Sequence, residues 1–175
     1  MGSIDGVYAT SAAWRGGHEV VRLLFDPDEI SYRSLVEKAK KFRCTATVYS
    51  HSAEHLKIAK EIVGSKAEMA DRSQRARPAS AGDQLYHLAH SPLKAVPMCA
   101  YQRMKVNAAI GLKDFSSIKS TLSPRQIELA RLILANVKPG QRSFENFVTP
   151  TNSNDLGAYT AKLRTALAKA SKAKE

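Results

Sequence analysis

A run of small, β-branched and aromatic residues opens the chain and predicts a β-hairpin. Residues 7–14 and 18–25 have this character, and Arg15-Gly16-Gly17 lies between them as a turn. The second strand ends before Pro27, because proline has no N–H to give to a strand ladder. Two antiparallel strands are therefore expected at the start of the chain.

Two helices with a short strand between them follow the hairpin. Ser31 is a good N-cap, and residues 32–43 carry apolar side chains at helical spacing. Residues 44–49 predict a short strand, and Ser52 caps a second helix. The order β-β-α-β-α predicts a small α/β sheet with helices on one face and a right-handed strand–helix–strand connection. Three strands form a thin sheet, which a preceding β-α element would complete.

The rest of the chain differs in composition from this α/β part. Residues 1–63 form the predicted core, and residues 64–83 are polar and basic, as in a linker or a surface loop. Residues 84–175 have a helical pattern and predict a basic helical extension.

Local signals mark the helices of this extension. Residues 98–110 predict one helix, and Ser123-Pro124 opens another, because proline suits the first helical position. Lys138-Pro139-Gly140 ends that helix. Asp155 caps a final helix rich in alanine and lysine.

Composition excludes several classes of protein. Of the 175 residues, 43% are hydrophobic and 25% are charged, which is typical of globular proteins rather than disordered or fibrous ones. No apolar run approaches the roughly 20 residues of a membrane span, and the N-terminus lacks the pattern of a signal peptide. Two cysteines are too few for a disulfide scaffold. We therefore expect a cytoplasmic protein without membrane partners.

Charge is distributed unevenly along the chain, whose formal net charge is +11. Residues 1–63 hold nine basic and eight acidic residues, whereas residues 64–175 hold eighteen basic and eight acidic ones. A basic region attracts polyanions through counterion release. The same charge also suits a solvated surface, so both interpretations stay open.

One string near the N-terminus is distinctive. It runs Gly6-Val7-Tyr8-Ala9-Thr10, then Trp14-Arg15-Gly16-Gly17-His18-Glu19-Val20-Val21-Arg22-Leu23-Leu24-Phe25-Asp26-Pro27, then Ile30-Ser31-Tyr32-Arg33-Ser34-Leu35. It resembles the methionine sulfoxide reductase A family over about residues 6–42. Strings in the later half, such as Pro92-Leu93-Lys94-Ala95-Val96-Pro97-Met98, look like the C-terminal region of bacterial reductase-like or thioredoxin-like proteins.

The resemblance implies a fold and a chemistry. The implied fold is an α/β (α+β) domain with a ferredoxin-like core. In that family a cysteine thiolate attacks the sulfoxide sulfur, a carboxylic acid binds the oxygen, and other cysteines resolve the adduct as a disulfide that thioredoxin reduces. Glu19 falls at the position of the family's carboxylate, whereas the family's G-C-F-W nucleophile motif is missing and no cysteine precedes Cys44.

Two cysteines remain as candidate catalytic thiols. Cys44 follows Lys40, Lys41 and Arg43, and nearby cations favour a thiolate, although the end of a helix opposes one. Cys99 lies at a predicted helix start, which also favours a thiolate. The competing interpretation for each is a small packed residue, the commoner role of a free cysteine.

Further candidates concern the substrate and metals. The resemblance implies aromatic residues around the substrate's methyl group, and Trp14 and Tyr8 are the candidates, with core packing as the alternative. His51 and His55 are four residues apart, but no further ligand has a characteristic spacing, so no metal site is expected. The reaction requires no cofactor.

The sequence therefore yields two functional hypotheses. The first is thiol-dependent reduction of oxidised methionine in peptides or proteins, with Glu19 polarising the S=O group, Cys44 and Cys99 supplying electrons, and a thioredoxin-type reductant. The second is a non-catalytic protein whose basic helices bind RNA or another polyanion. Its candidate cations are Arg125, Arg131, Lys138, Arg142, Lys162, Arg164, Lys169, Lys172 and Lys174.

Overall fold

The computed structural model describes residues 1–71, 73–137, 144, 146–150 and 153–172. The chain divides into two compact units, Met1–Gln84 and Leu85–Glu175. The described residues form five strands, all in the first unit, and seven α-helices, of which five lie in the second. The fold is therefore mixed α/β, as the sequence predicts at this level.

The predicted hairpin is confirmed. Strands β1 (Val7–Arg15) and β2 (His18–Phe25) pair antiparallel, and Arg15 lies opposite His18 across the turn. Gly16 and Gly17 have φ angles of +55° and +80°, which is the pattern of a type I′ turn. This turn matches the right-handed twist of the strands and sets their register from Arg15 to Ala9. Between Ala9 and Val7 a β-bulge shifts the pairing.

Three further strands arrange differently from the prediction. Strand β5 (Arg77–Pro78) pairs antiparallel with β1, so the first sheet has the order β2-β1-β5. Strand β3 (Val48–Ser50) pairs instead with β4 (Ala67–Met69), in parallel. The expectation that β3 joins the hairpin in one sheet is therefore wrong.

The physical reason lies in the segment expected as a linker or surface loop, residues 64–83. It lies within the first unit and contributes both β4 and β5. Parallel strands need a crossover of a dozen or more residues, and the chain from β3 to β4 supplies one that contains a helix. The strand that β3 pairs with is therefore β4, which this segment supplies, and not a strand of the hairpin.

The two helices of the first unit begin where their caps predict. In α1 (Tyr32–Lys41), Ser31 accepts a hydrogen bond from the backbone N–H of Ser34. In α2 (Ala53–Val63), Ser52 accepts one from His55. The apolar positions of α1 are buried, which accounts for its docking against the rest of the unit.

Helices are the regular secondary structure in the described residues of the second unit. Its helices are α3 (Tyr86–Ala89), α4 (Ala100–Leu112), α5 (Phe115–Thr121), α6 (Pro124–Asn136) and α7 (Leu156–Lys172). The predicted cap of α6 is confirmed, since the hydroxyl of Ser123 accepts a hydrogen bond from the backbone N–H of Gln126. The predicted stop at Lys138-Pro139-Gly140 lies outside the described residues.

Helix α5 begins at a polar cap. Asp114 accepts hydrogen bonds from the hydroxyls of Ser116 and Ser117 and from the backbone of Ser117. These bonds lower the pKa of Asp114 to about 2. Only Ile118 is buried in this helix, which explains why hydrophobic spacing does not reveal it.

The core of the second unit collects side chains from most of its helices. Fully buried members include Leu88, Val96, Val106, Ile133 and Leu163. At its edge Tyr159 donates a hydrogen bond to the carbonyl of Ala95 at 2.7 Å. Burial raises the pKa of Tyr159 to about 12, against smaller opposing effects of Thr149 and Arg103.

Candidate functional site

The hairpin register brings two of the predicted site residues together. Trp14 on β1 lies directly opposite Glu19 on β2, so both side chains project from the same face of the sheet. Both are exposed, and 40% of the Trp14 surface is accessible to water. An aromatic surface and a carboxylate thus lie side by side on an open sheet face.

The same row continues onto the third strand. Arg77 on β5 lies opposite Trp14, and it is exposed. Glu19, Trp14 and Arg77 therefore form one row across β2, β1 and β5, which we call the Trp14 row. Sequence reasoning did not identify Arg77, because a two-residue strand has no periodic signal.

Small and apolar residues lie next to the Trp14 row on the same face. Ala12 on β1 is paired with Val21 on β2, and Val21 is 42% exposed. The carbonyl of Ala12 accepts a hydrogen bond from the backbone of Ala79 at 3.0 Å. The side-chain amide of Gln84 binds both backbone groups of Ala12: its oxygen accepts from the N–H at 3.0 Å, and its nitrogen donates to the carbonyl at 2.8 Å.

The opposite face of the hairpin is anchored by Arg15. Its guanidinium donates to the carbonyl of Asp71 at 2.9 Å and lies 4.5 Å from the ring centre of Tyr49. Hydrogen bonds from Ser73, and to a lesser degree the charge of Arg15, lower the pKa of Asp71. Arg15 is buried, so it fixes the turn end of the hairpin that carries the Trp14 row.

Tyr8 lies apart from this row. It precedes Trp14 by six residues on β1, which corresponds to about 20 Å along a strand. Its hydroxyl donates to Glu29 Oε1 at 2.5 Å. The structure therefore does not bring the two aromatic candidates to one place, and Tyr8 contacts a carboxylate outside the row.

Glu19 lies in an open environment, whereas a carboxylic acid that hydrogen-bonds the oxygen of a substrate needs a dry one. The side chain of Glu19 is exposed to water. Any desolvation of this carboxyl would therefore come from a ligand that covers it.

Cys44 lies just beyond the end of α1, in a left-handed helix cap. Arg43 has a φ of +58°, and its backbone N–H donates a hydrogen bond to the carbonyl of Lys40. The backbone N–H of Cys44 donates to the carbonyl of Ala39 at 2.9 Å. This is the hydrogen-bond pattern of a Schellman motif. The exposed thiol of Cys44 is 3.5 Å from the carbonyl of Phe42.

The cations that precede Cys44 in the sequence lie in different surroundings. The ammonium group of Lys40 donates a hydrogen bond to the backbone carbonyl of Ile62 at 2.9 Å, so the charge of Lys40 lies against α2. Lys41 and Arg43 are exposed neighbours in the chain. The interpretation of Cys44 as a small buried residue is wrong, because its side chain is open to water.

Cys99 belongs to the second unit and is the N-cap residue of α4. Its backbone N–H donates to the side chain of Gln102 at 3.2 Å. The side-chain amides of Gln102 and Gln126 each donate a hydrogen bond to the other, at 3.0 Å and 2.9 Å. Gln126 also accepts from the backbone N–H of Ser123, the N-cap residue of α6, as Gln102 does from Cys99. The N-termini of α4 and α6 therefore lie side by side next to Cys99.

Both cysteines are free and exposed. Cys44 lies in the first unit and Cys99 in the second. Their pairing in a redox cycle remains a prediction, as does the access of either thiol to Glu19.

One of the two histidines considered as metal ligands, His55, contacts an aromatic ring. His55 stacks on Tyr32 with ring centres 3.9 Å apart, and the Tyr32 hydroxyl is 3.0 Å from Ser50 Oγ. Within the described part of the chain, no three His, Cys, Asp or Glu side chains are grouped as a metal site would require. In the same residues, no helix has the length and apolar character needed to cross a bilayer.

Basic side chains are exposed on two helices of the second unit. They are Arg125 and Arg131 on α6, and Lys162, Arg164, Lys169 and Lys172 on α7. The other three candidate cations, Lys138, Arg142 and Lys174, lie outside the described residues. The second unit holds fourteen basic and five acidic residues, so it carries +9 of the chain's net charge of +11.

The sequence matches no protein-family model and no curated protein, and the fold matches no solved structure. Function is therefore inferred from the geometry of the site and from the residues that carry the resemblance.

Proposed function

We propose that the protein reduces methionine sulfoxide in peptides or proteins with a cysteine thiol. The observation that carries the proposal is the direct opposition of Trp14 and Glu19 on one sheet face. A methionine sulfoxide side chain has an apolar methyl group and a polar oxygen on the same sulfur. An aromatic ring beside a carboxyl group complements both parts at once.

The substrate would lie along the Trp14 row. Its methyl group packs on Trp14, next to the apolar surface of Ala12 and Val21. Its oxygen lies beside Glu19, the carboxyl group that transfers a proton to it in the proposed reaction. The exposed position of the row suits a side chain presented by another polypeptide.

The reaction consumes two thiols and releases one water. The thiolate of Cys44 attacks the sulfoxide sulfur, and Glu19 protonates the oxygen. Transfer of the oxygen leaves methionine and a sulfenic acid on Cys44. A second thiol, from Cys99 or from an added dithiol, displaces hydroxide, which leaves as water with a proton, and closes a disulfide.

The proposal includes a finer assignment of the first unit. The string from Gly6 to Leu35 supports a ferredoxin-like core of the reductase A type, whereas the pairing of β3 with β4 in a separate sheet departs from it. A thioredoxin-type protein would return the disulfide to two thiols. Free exposed thiols persist in a reducing compartment such as the cytoplasm, where we place the protein.

Glu19→Gln is the direct test of the acid in this site. Glutamine keeps the shape of the side chain but cannot transfer a proton, so we expect kcat/KM to fall about 100-fold. The measurement is dithiothreitol-dependent reduction of a methionine sulfoxide peptide, with methionine peptide quantified by chromatography. Glu68→Gln, an exposed acid on β4, is the matched control and keeps the wild-type rate. Equal rates for the two variants contradict the role of Glu19.

A second candidate function is binding of a polyanion by the second unit. The observation that favours it is the placement of Lys162 and Lys169, two helical turns apart on α7, where they line a shallow groove with Ala161, Thr165 and Ala166. Cations so arranged can follow a phosphate backbone.

The salt dependence of RNA binding tests this candidate. We expect the affinity for a fluorescein-labelled 20-nucleotide RNA to fall at least about tenfold between 50 and 200 mM salt. Lys162→Gln/Lys169→Gln weakens binding further, whereas Lys57→Gln/Lys60→Gln on α2 does not. Fluorescence anisotropy measures both effects. Binding that is absent, or indifferent to salt, excludes the candidate.

A further inference from the structure

We infer that Arg77 is the residue that recognises the oxygen of the sulfoxide and so distinguishes oxidised from reduced methionine. This inference deepens the proposed function and rests on it. The observation is the position of Arg77 on β5, directly opposite Trp14 and on the same sheet face.

The geometry of the Trp14 row separates its two charges. Neighbouring strands lie about 4.8 Å apart, so the backbones of Glu19 and Arg77 are about 10 Å apart, with Trp14 between them. Among the described residues Glu19 and Arg77 form no ion pair. The row therefore presents an anion, an aromatic surface and a cation in sequence.

A sulfoxide is a hydrogen-bond acceptor, and this decides which charge binds its oxygen. A carboxylate can only accept hydrogen bonds, so an ionised Glu19 repels the sulfoxide oxygen. The guanidinium of Arg77 is always protonated and carries five N–H donors. The oxygen therefore binds Arg77 in the first encounter, before it lies beside Glu19 for the proton transfer.

The guanidinium of Arg77 is available for this role within the described structure. The cations found over aromatic rings there are Arg15 over Tyr49 and Lys105 near Tyr101. Arg77 is exposed and stacks on no described ring, so its donors face water beside Trp14. The methionine side chain without its oxygen offers these donors no acceptor of comparable strength.

The test uses the fluorescence of Trp14, the single tryptophan of the sequence, as a direct report on the row. All chains carry Cys44→Ser, so that the substrate is bound and not consumed. A methionine sulfoxide peptide and the matching methionine peptide are each titrated, and their dissociation constants are compared. We expect the sulfoxide peptide to bind about tenfold more tightly, as one charge-assisted hydrogen bond provides.

Arg77→Gln is expected to reduce this preference to less than about twofold, and Arg77→Lys to restore part of it, since lysine keeps the charge without the planar fork. Arg75→Gln is the matched control: it removes one cation from the same exposed segment two residues earlier and keeps the tenfold preference. A purely structural role of Arg77 would weaken both peptides alike and leave their ratio unchanged.

The outcomes separate this inference from the proposed reaction. A preference lost in Arg77→Gln and kept in Arg75→Gln supports the assignment, even where the wild type reduces no peptide and the proposed reaction fails. A preference that survives in Arg77→Gln overturns the assignment, even where the wild type is an active reductase. Equal binding of the two peptides to the Cys44→Ser chain that keeps both Arg75 and Arg77 also overturns the assignment.

Discussion

Cys44→Ser is expected to abolish reduction of a methionine sulfoxide peptide, with a loss of at least about 1000-fold in rate, because a serine hydroxyl is a far weaker nucleophile than a thiolate. The substitution is nearly isosteric and changes an exposed side chain outside any core. The backbone N–H that closes the end of α1 on Ala39 remains in place, so the fold is retained.

Cys99→Ser is the matched control for this variant. Cys99 is also exposed and free, but it lies in the second unit and acts only as a resolving thiol in the proposed cycle. In excess dithiothreitol the added dithiol replaces it, so the rate stays within about twofold of the wild type. Equal loss in both variants, or none in Cys44→Ser, contradicts the assignment of the nucleophile.

Ile133→Ala is expected to destabilise the second unit by about 3–4 kcal/mol, the usual cost of truncating a large buried aliphatic side chain. Ile133 is completely buried in α6, within the cluster that includes Leu88 and Leu163. Its replacement removes apolar contacts and leaves a cavity that the helices around it fill only in part. In a unit of this size, such a loss lowers the melting temperature by more than about 10 °C.

The neighbouring residue provides the control for this experiment. Leu134 follows Ile133 in the same helix but is 52% exposed, so Leu134→Ala is expected to change stability by less than about 0.5 kcal/mol. Circular dichroism at 222 nm follows the helical signal in the full chain. A melting temperature lowered equally by both substitutions would contradict the packing described for α6.

Local chemistry made several elements predictable from the sequence. Ser31, Ser52 and Ser123 each accept the hydrogen bond that a helix N-cap requires, and each precedes an apolar periodic run. The two glycines of the hairpin permit the positive φ angles of its turn. The sequence predicts Arg15-Gly16-Gly17 as the turn, which would place Trp14 opposite His18. The observed turn has only Gly16 and Gly17, and it places Trp14 opposite Glu19, so this half of the site depends on a turn length that the sequence does not fix.

Long-range pairing was not predictable in the same way. Strands β3, β4 and β5 have only two or three residues each, which is too short for an alternating pattern to be recognised. Their partners are fixed by the tertiary fold, and a segment that looks like a polar linker therefore carries Arg77 to Trp14. The separation of Tyr8 from the site has the same origin, since residue type alone does not show where along a strand a ligand would bind.

The most direct measurement of the central claim is a single turnover without added reductant. The fully reduced wild-type chain is mixed with an excess of methionine sulfoxide peptide, and both methionine peptide and remaining thiols are counted. We expect close to one methionine per chain, with a matching loss of protein thiols. A reduced chain that forms no methionine, and keeps both thiols, would contradict the claim that this protein reduces methionine sulfoxide with its own sulfur.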